Sequence, residues 1–142
     1  MGSNRRAKLN EMKILVVDDE KIILDSCKRV LTTVGFDVLF ATSADSALKI
    51  LETQIPAVLL IDVKMPERDG ISLMGELKKR FPLIPIVIMS GYPTHETISE
   101  SIKKGATRFI SKPFTPDELI EVIHEVIIKQ ENYQGNEISN DG

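Results

Sequence analysis

The sequence predicts an α/β domain, a doubly wound parallel sheet of five strands in the order 2-1-3-4-5 with helices on both faces. Two unbroken apolar runs, residues 13–17 (Lys-Ile-Leu-Val-Val) and 57–62 (Ala-Val-Leu-Leu-Ile-Asp), lack the alternation of a half-exposed strand and read as strands buried on both faces. A segment of helical period follows every strand, so the order is βα five times, which right-handed crossovers close into one parallel sheet. At 142 residues the chain fits one such domain and buries a substantial core without staples.

The elements follow in order. Residues 1–11 are polar and are read as a disordered N-terminal segment, or in part as a cloning scar at Met1-Gly2-Ser3. The first strand, 13–17, runs into Asp18-Asp19-Glu20. From Lys21 the apolar period becomes helical through Ile23, Cys27, Val30, Leu31 and Val34, and Gly35 stops the helix. Residues 36–41 form a more exposed strand. Ser43 caps a second helix with the face Ala44, Ala47, Leu48 and Leu51, ended before Ile55-Pro56. The central strand, 57–62, ends on Asp62.

After a turn closing at Gly70, Leu73, Met74, Leu77 and Phe81 mark the third helix, closed by Pro82. Residues 84–89 are a third buried strand ending at Ser90-Gly91. A short helix over 94–104 has only Ile98 and Ile102 pointing inward, and so thin a stripe predicts a weakly anchored element. The fifth strand, 107–111, ends at Lys112-Pro113. Thr115, Pro116 and Glu118 announce the last helix as cap, first helical residue and capping box, with an apolar face from Leu119 to Ile127. Residues 130–142 are polar and are expected to form a flexible, frayed tail, which leaves 12–129 as the folded domain.

Bulk properties narrow the function. With 18 Lys+Arg against 21 Asp+Glu, the net charge of −3 leaves no electrostatic footprint for nucleic acid. The single cysteine, Cys27, excludes a disulfide framework or a CxxC site. No apolar stretch has the length of a membrane span and the N-terminus lacks the apolar centre of a signal peptide, so the chain is read as cytoplasmic with no membrane partner.

In open α/β sheets ligands bind at the carboxyl edge, at the point where strand order reverses. Here that point lies between strands one and three, which end in Asp18-Asp19 and Asp62. Each residue alone has a plain reading as a cap or turn, but four strand ends out of five carry acid, acid, hydroxyl (Ser90) and amine (Lys112). Caps and turns do not predict that set. Three carboxylates so close need a counter-cation, and Lys112 and a divalent metal are the candidates. Hard oxygen donors with room for water favour Mg2+ over zinc.

These residues resemble the receiver domains of two-component response regulators. Asp18-Asp19-Glu20 matches the family's acidic pair, and Asp62 with Met65-Pro66, Asp69 and Gly70 matches its phosphoacceptor segment. Ser90, Phe109 and Lys112-Pro113 match its hydroxyl, aromatic switch and lysine-proline, and the likeness covers residues 13–128. The resemblance implies a flavodoxin-like three-layer sandwich and a receiver domain over 12–129. It implies that Asp62 accepts a phosphoryl group from a sensor histidine kinase or phosphotransfer protein. It further implies Mg2+ (or Mn2+) held by Asp19, Asp62, the Lys64 main-chain carbonyl and, through water, Asp18. Lys112 and Ser90 then contact the phosphoryl group, Phe109 turns inward, and the Lys112-Pro113 peptide is cis. The signal is read by a downstream protein at the face of helix four, strand five and helix five, with a homodimer as a further option.

Such a chain is a phosphoacceptor signalling module that promotes its own phosphorylation and dephosphorylation, rather than an enzyme. After Ile128 too few residues remain for an effector, which suits a native single-domain regulator or a receiver cut from a longer one. A dehalogenase-type phosphatase needs a second Asp two residues beyond the first, where Lys64 stands. A flavodoxin-like electron carrier needs a phosphate loop where Asp18-Asp19-Glu20 repels phosphate. A scaffold that only dimerises survives if phosphorylation is inert. Lys64 and Tyr92, two residues beyond Asp62 and Ser90, are expected to project over the acceptor.

Overall fold

The computed structural model of the chain describes residues 12–65 and 69–141, with the backbone alone from Asn132 onward. The expectations for residues 1–11 and for Pro66 lie outside the described residues. The elements are β1 (Lys13–Val17), α1 (Lys21–Thr33), β2 (Asp37–Ala41), α2 (Ala44–Leu51), β3 (Val58–Asp62), α3 (Gly70–Arg80), β4 (Ile86–Ser90), α4 (His95–Lys103), β5 (Arg108–Ser111) and α5 (Pro116–Asp141). The strands form one parallel sheet in the order β2-β1-β3-β4-β5, as the alternation of strand and helix predicts.

Side chains alternate across a strand, and the apolar runs divide accordingly. Leu15, Val17, Leu59, Ile61, Ile86 and Ile88 face α2 and α3, meeting Ala44, Ala47, Leu51, Leu73, Met74 and Leu77. Ile14, Val16, Val58, Leu60, Val87, Met89 and Ile110 face α1 and α5, meeting Leu24, Cys27, Leu31, Leu119, Val122, Ile123 and Val126. Both layers bury large aliphatic side chains, each contributing about 1.5–3 kcal/mol of transfer free energy. This is why β1, β3 and β4 need no polar alternation. β2, at the sheet edge, is only half-buried over Val38–Phe40.

Local chemistry sets the boundaries. Ser43, Thr94 and Thr115 each accept a backbone N–H three residues on, from Ser46, Thr97 and Glu118, all at 3.1 Å. Such caps contribute about 1 kcal/mol each. α1 ends where Gly35 takes φ 100°, a conformation that glycine adopts without Cβ strain, and Phe36 N–H closes onto Leu31 O at 3.1 Å. β4 begins at Ile86, later than the apolar pattern suggests, because Pro85 has no N–H for the ladder and offers only its carbonyl, to Leu59 N–H at 3.0 Å.

Three expectations change. Ile102 is exposed, not inward: α4 turns Ile98 and Ser101 toward the protein, with Ser101 fully buried and its hydroxyl donating to Thr97 O at 2.7 Å. Leu24, absent from the predicted face of α1, is buried beside Cys27 and Leu31. α5 runs to Asp141, past Gln130, where a frayed tail was expected. Nothing in that polar stretch forbids a helix, since it holds no proline and Gly135 costs only about 1 kcal/mol. Gln130 Nε2 also donates to Leu83 O at 2.8 Å and ties the first added turn to the domain. Among the described residues no helix is long and apolar enough to cross a membrane.

Candidate functional site

Strand register brings the site residues together. β1 and β3 pair as far as Val17 and Ile61, so Asp18 and Asp62 are the next residues along adjacent strands. Their parity is that of Val16 and Leu60, so both carboxylates leave the sheet on the α1/α5 side. Lys112 continues the parity of Ile110, and its N–H donates to Ser90 O at 2.7 Å, which holds the backbone in register as the chain leaves β5. The Lys112-Pro113 peptide is cis.

The lysine and the carboxylates meet. Lys112 Nζ donates to Asp18 Oδ2 at 2.7 Å and stands 3.5 Å from Asp62 Oδ2 and 3.6 Å from Glu20 Oε1. Asp18 is fully buried and uses both oxygens, for Oδ1 accepts Glu20 N–H at 2.9 Å. Asp62 is 5% exposed, and its Oδ1 accepts Lys64 N–H at 3.4 Å. Asp18, Glu20 and Asp62 each offer a carboxylate oxygen, all within 4.8 Å of one another. This donor set is wholly hard oxygen and favours Mg2+ or Mn2+ over zinc. The Cys27 thiol is pushed up to about 12, by burial first and by the charge of Asp18 second, and stays a neutral core group.

Electrostatics follows the geometry. Burial, followed by the charge of Asp18, pushes the Asp62 carboxyl up to about 6, with Lys112 and the Lys64 N–H pulling the other way. Burial works to lower the Lys112 pKa, but its hydrogen bond to Asp18 and the charges of Asp18, Asp62 and Glu20 raise it overall. The lysine therefore remains a fixed cation in a pocket with surplus negative charge. Such a pocket attracts a divalent cation, and Lys112 is positioned to meet an anionic group carried on Asp62.

The other predicted site residues lie around this centre. Ser90 is buried, and its Oγ accepts Tyr92 N–H at 3.2 Å. Phe109 is half-buried against the core layer of α2 and α3, on the opposite side of the sheet from Lys112. Lys64 and Tyr92 are exposed and touch, with Nζ 5.2 Å from the ring centre. Asp19 is exposed and outside the acidic group. The Asp18 turn explains this: bonding Glu20 N–H to Oδ1 folds the chain back, so the third carboxylate over the pocket comes from Glu20. The sequence reading missed Glu20. Its signal was a third acid at a helix N-cap, where Ser, Thr, Asp or Asn are usual.

Gly70 fixes the other wall. A Cβ there would stand 2.1 Å from the Asp62 carbonyl oxygen, so only glycine lets α3 start directly behind the end of β3. Gly70 N–H donates to Val63 O at 2.8 Å, and Asp69 caps α3 by accepting Ser72 N–H at 2.7 Å.

A parallel sheet in this order, with an acidic pocket and an engaged lysine at its carboxyl edge, defines a signalling receiver rather than a conventional enzyme. The chain belongs to the response regulator receiver domain family, whose sequence model matches residues 14–124. It is 38% identical over 109 residues to a putative NtrX-like response regulator of Rickettsia bellii, an alignment that covers 75% of this chain and 23% of that protein. A response regulator receiver domain protein (CheY-like) from Methanospirillum hungatei superposes with a TM-score of 0.82 at 34% identity, covering 86% of this chain and 98% of that one. NtrX from Brucella abortus superposes with a TM-score of 0.83 at 35% identity, covering 92% of this chain and 30% of that one. The chain spans about a quarter of the length of the curated relatives it matches. Receiver domains bind Mg2+ at an acidic pocket, and the Asp18, Glu20 and Asp62 group has the chemistry for it.

Proposed function

We propose that this chain, with residues 12–129 as its receiver unit, accepts a phosphoryl group on Asp62 from a phosphohistidine of a sensor histidine kinase or phosphotransfer protein. On this reading it works in the cytoplasm as a phosphorylation-controlled switch for protein–protein interaction. The observation that carries the proposal is the position of Lys112 Nζ, 2.7 Å from buried Asp18 and 3.5 Å from Asp62.

A carboxylate oxygen of Asp62 attacks phosphorus, the P–N bond to the donor imidazole breaks, and the imidazole leaves with its electron pair and is protonated. Phosphoryl transfer needs positioning and charge neutralisation more than covalent assistance. The carboxylates of Asp18, Glu20 and Asp62 would hold Mg2+ or Mn2+, which would neutralise charge on the phosphoryl oxygens. Asp18 is fixed by two hydrogen bonds and serves as the anchor that aims Lys112. Lys112 gives up its contact with Asp62 for a phosphoryl oxygen, and the Ser90 hydroxyl donates to another. Asp19, exposed beside the pocket, and the Lys64 carbonyl remain the ligands implied by the family likeness.

The output follows from what is weakly held. α4 contributes no residue to either core layer, with Ile98 half-buried and Ser101 its buried position. A shift of Ser90 toward the phosphoryl group, followed by Phe109, biases the α4, β5 and α5 face, which a downstream protein or a second copy reads. Incubation with acetyl phosphate and Mg2+ should give a hydroxylamine-labile label in the wild type and none in Asp62→Asn. A label on Ser90 or a histidine would reject the proposal.

A further inference from the structure

Lys112 is one cation facing three carboxylates, and these are not equivalent. Asp18 is committed through both oxygens and is fully buried. Asp62 is the acceptor. The Glu20 side chain is 58% exposed, and its carboxylate stands 3.6 Å from Lys112 Nζ. Glu20 is also the N-cap residue of α1 but makes no side-chain cap hydrogen bond. Its carboxylate is therefore not used on the helix terminus. The longer side chain instead reaches over the mouth of the pocket into the oxygen group with Asp18 and Asp62.

We propose that Glu20 is a positioning residue that sets the balance between the two guests of this pocket, favouring the divalent cation and opposing the phosphoryl group by competing for Lys112. The inference rests on the phosphoacceptor reading above. A carboxylate within 4.8 Å of the other two adds negative potential where a cation binds. Once Asp62 carries a phosphoryl group, with a charge approaching about −2, the same carboxylate repels it and holds part of the Lys112 charge. Being exposed, Glu20 can swing into water at little cost, so its effect has the size of an exposed ion pair, about two- to fivefold in an equilibrium constant. Its role is thus to tune the pocket, whereas Asp18 and Lys112 build it.

The test uses the full 142-residue chain and its Glu20→Gln variant, which keeps the size and removes the charge. Mg2+ is titrated first, followed by the amide signals of Asp62 and Ser90, and then beryllofluoride, a phosphoryl mimic, at saturating Mg2+. The expected result is a pair of opposite shifts in the variant: Mg2+ affinity falls about two- to fivefold and beryllofluoride affinity rises by a similar factor. Two unchanged affinities would make Glu20 a plain surface charge and overturn the proposal. Two affinities moving in the same direction would show a general structural effect and overturn it equally. Failure of the wild type to bind beryllofluoride in Mg2+ would overturn both this inference and the phosphoacceptor reading on which it rests.

Discussion

Replacing Asp62 by Asn should make the fold more stable at neutral pH. The carboxyl is 5% exposed and is pushed up from 3.8 to about 6, by burial first and Asp18 second, with Lys112 offsetting only part. Between about pH 4 and pH 6 the native state holds a proton that the unfolded chain has released, so stability falls as pH rises through this window, and the loss is complete above it. At about 1.4 kcal/mol per pH unit, keeping Asp62 ionised at pH 7 costs about 3 kcal/mol. Asn reproduces the size and neutrality of the protonated acid, so Asp62→Asn should recover about 2–3 kcal/mol and raise the thermal midpoint by several degrees, at about 2–4 °C per kcal/mol. Urea denaturation of both proteins in EDTA, from about pH 4 to pH 8, reads the difference. It should be small at the acid end, grow through the window and level off above about pH 6.5. A variant no more stable than wild type at pH 7, or a difference independent of pH, would refute the reasoning.

Two further outcomes follow from the loops around Asp62. Lys64 Nζ lies 5.2 Å from the Tyr92 ring centre, and the two residues stand two positions beyond Asp62 and Ser90. The Lys64→Ala, Tyr92→Ala double variant should therefore lose its phosphoryl group faster at equal Mg2+, by about two- to fivefold for an exposed contact of about 0.5–1 kcal/mol. Unchanged or slower phosphate release would reject the shielding. Gly70→Ala places a Cβ 2.1 Å from the Asp62 carbonyl oxygen and 2.9 Å from its carbon, backbone that cannot rotate away, and should destabilise by about 3 kcal/mol or more. Gly75→Ala, in the same helix with nothing within 4 Å, should be neutral or stabilising by up to about 1 kcal/mol. Similar urea midpoints for the two variants would contradict this account of the β3–α3 junction.

Where one strong signal acted alone, the sequence was easy to read. The apolar runs before Asp18 and Asp62 have no solvent-facing residues, so they fit only a sheet covered on both faces, and topology then brings their terminal carboxylates together. Lys112 was legible because β5 must run beside β4 in such a sheet. What escaped were features set by side-chain direction rather than position. Ile102 and Ser101 are neighbours on a thin helical stripe, and hydrophobicity favours the isoleucine, yet a serine that bonds back to Thr97 O is the one buried. Glu20, rather than Asp19, brings its carboxylate within 4.8 Å of Asp18 and Asp62, because the turn closed by Glu20 N–H on Asp18 Oδ1 sets the direction of the residues that follow. The length of α5 was missed because a polar composition reads as a tail even when no residue in it breaks a helix.

The most direct test of the central claim is to locate the modified residue chemically. Borohydride reduces an acyl phosphate to an alcohol, so phosphorylated Asp62 becomes homoserine, and peptide mass spectrometry reports its position. After incubation with acetyl phosphate, homoserine should appear at Asp62 alone, and only when Mg2+ or Mn2+ is present. Homoserine at Asp18 or Asp19, or a retained phosphoryl group with no homoserine at Asp62, would contradict the account.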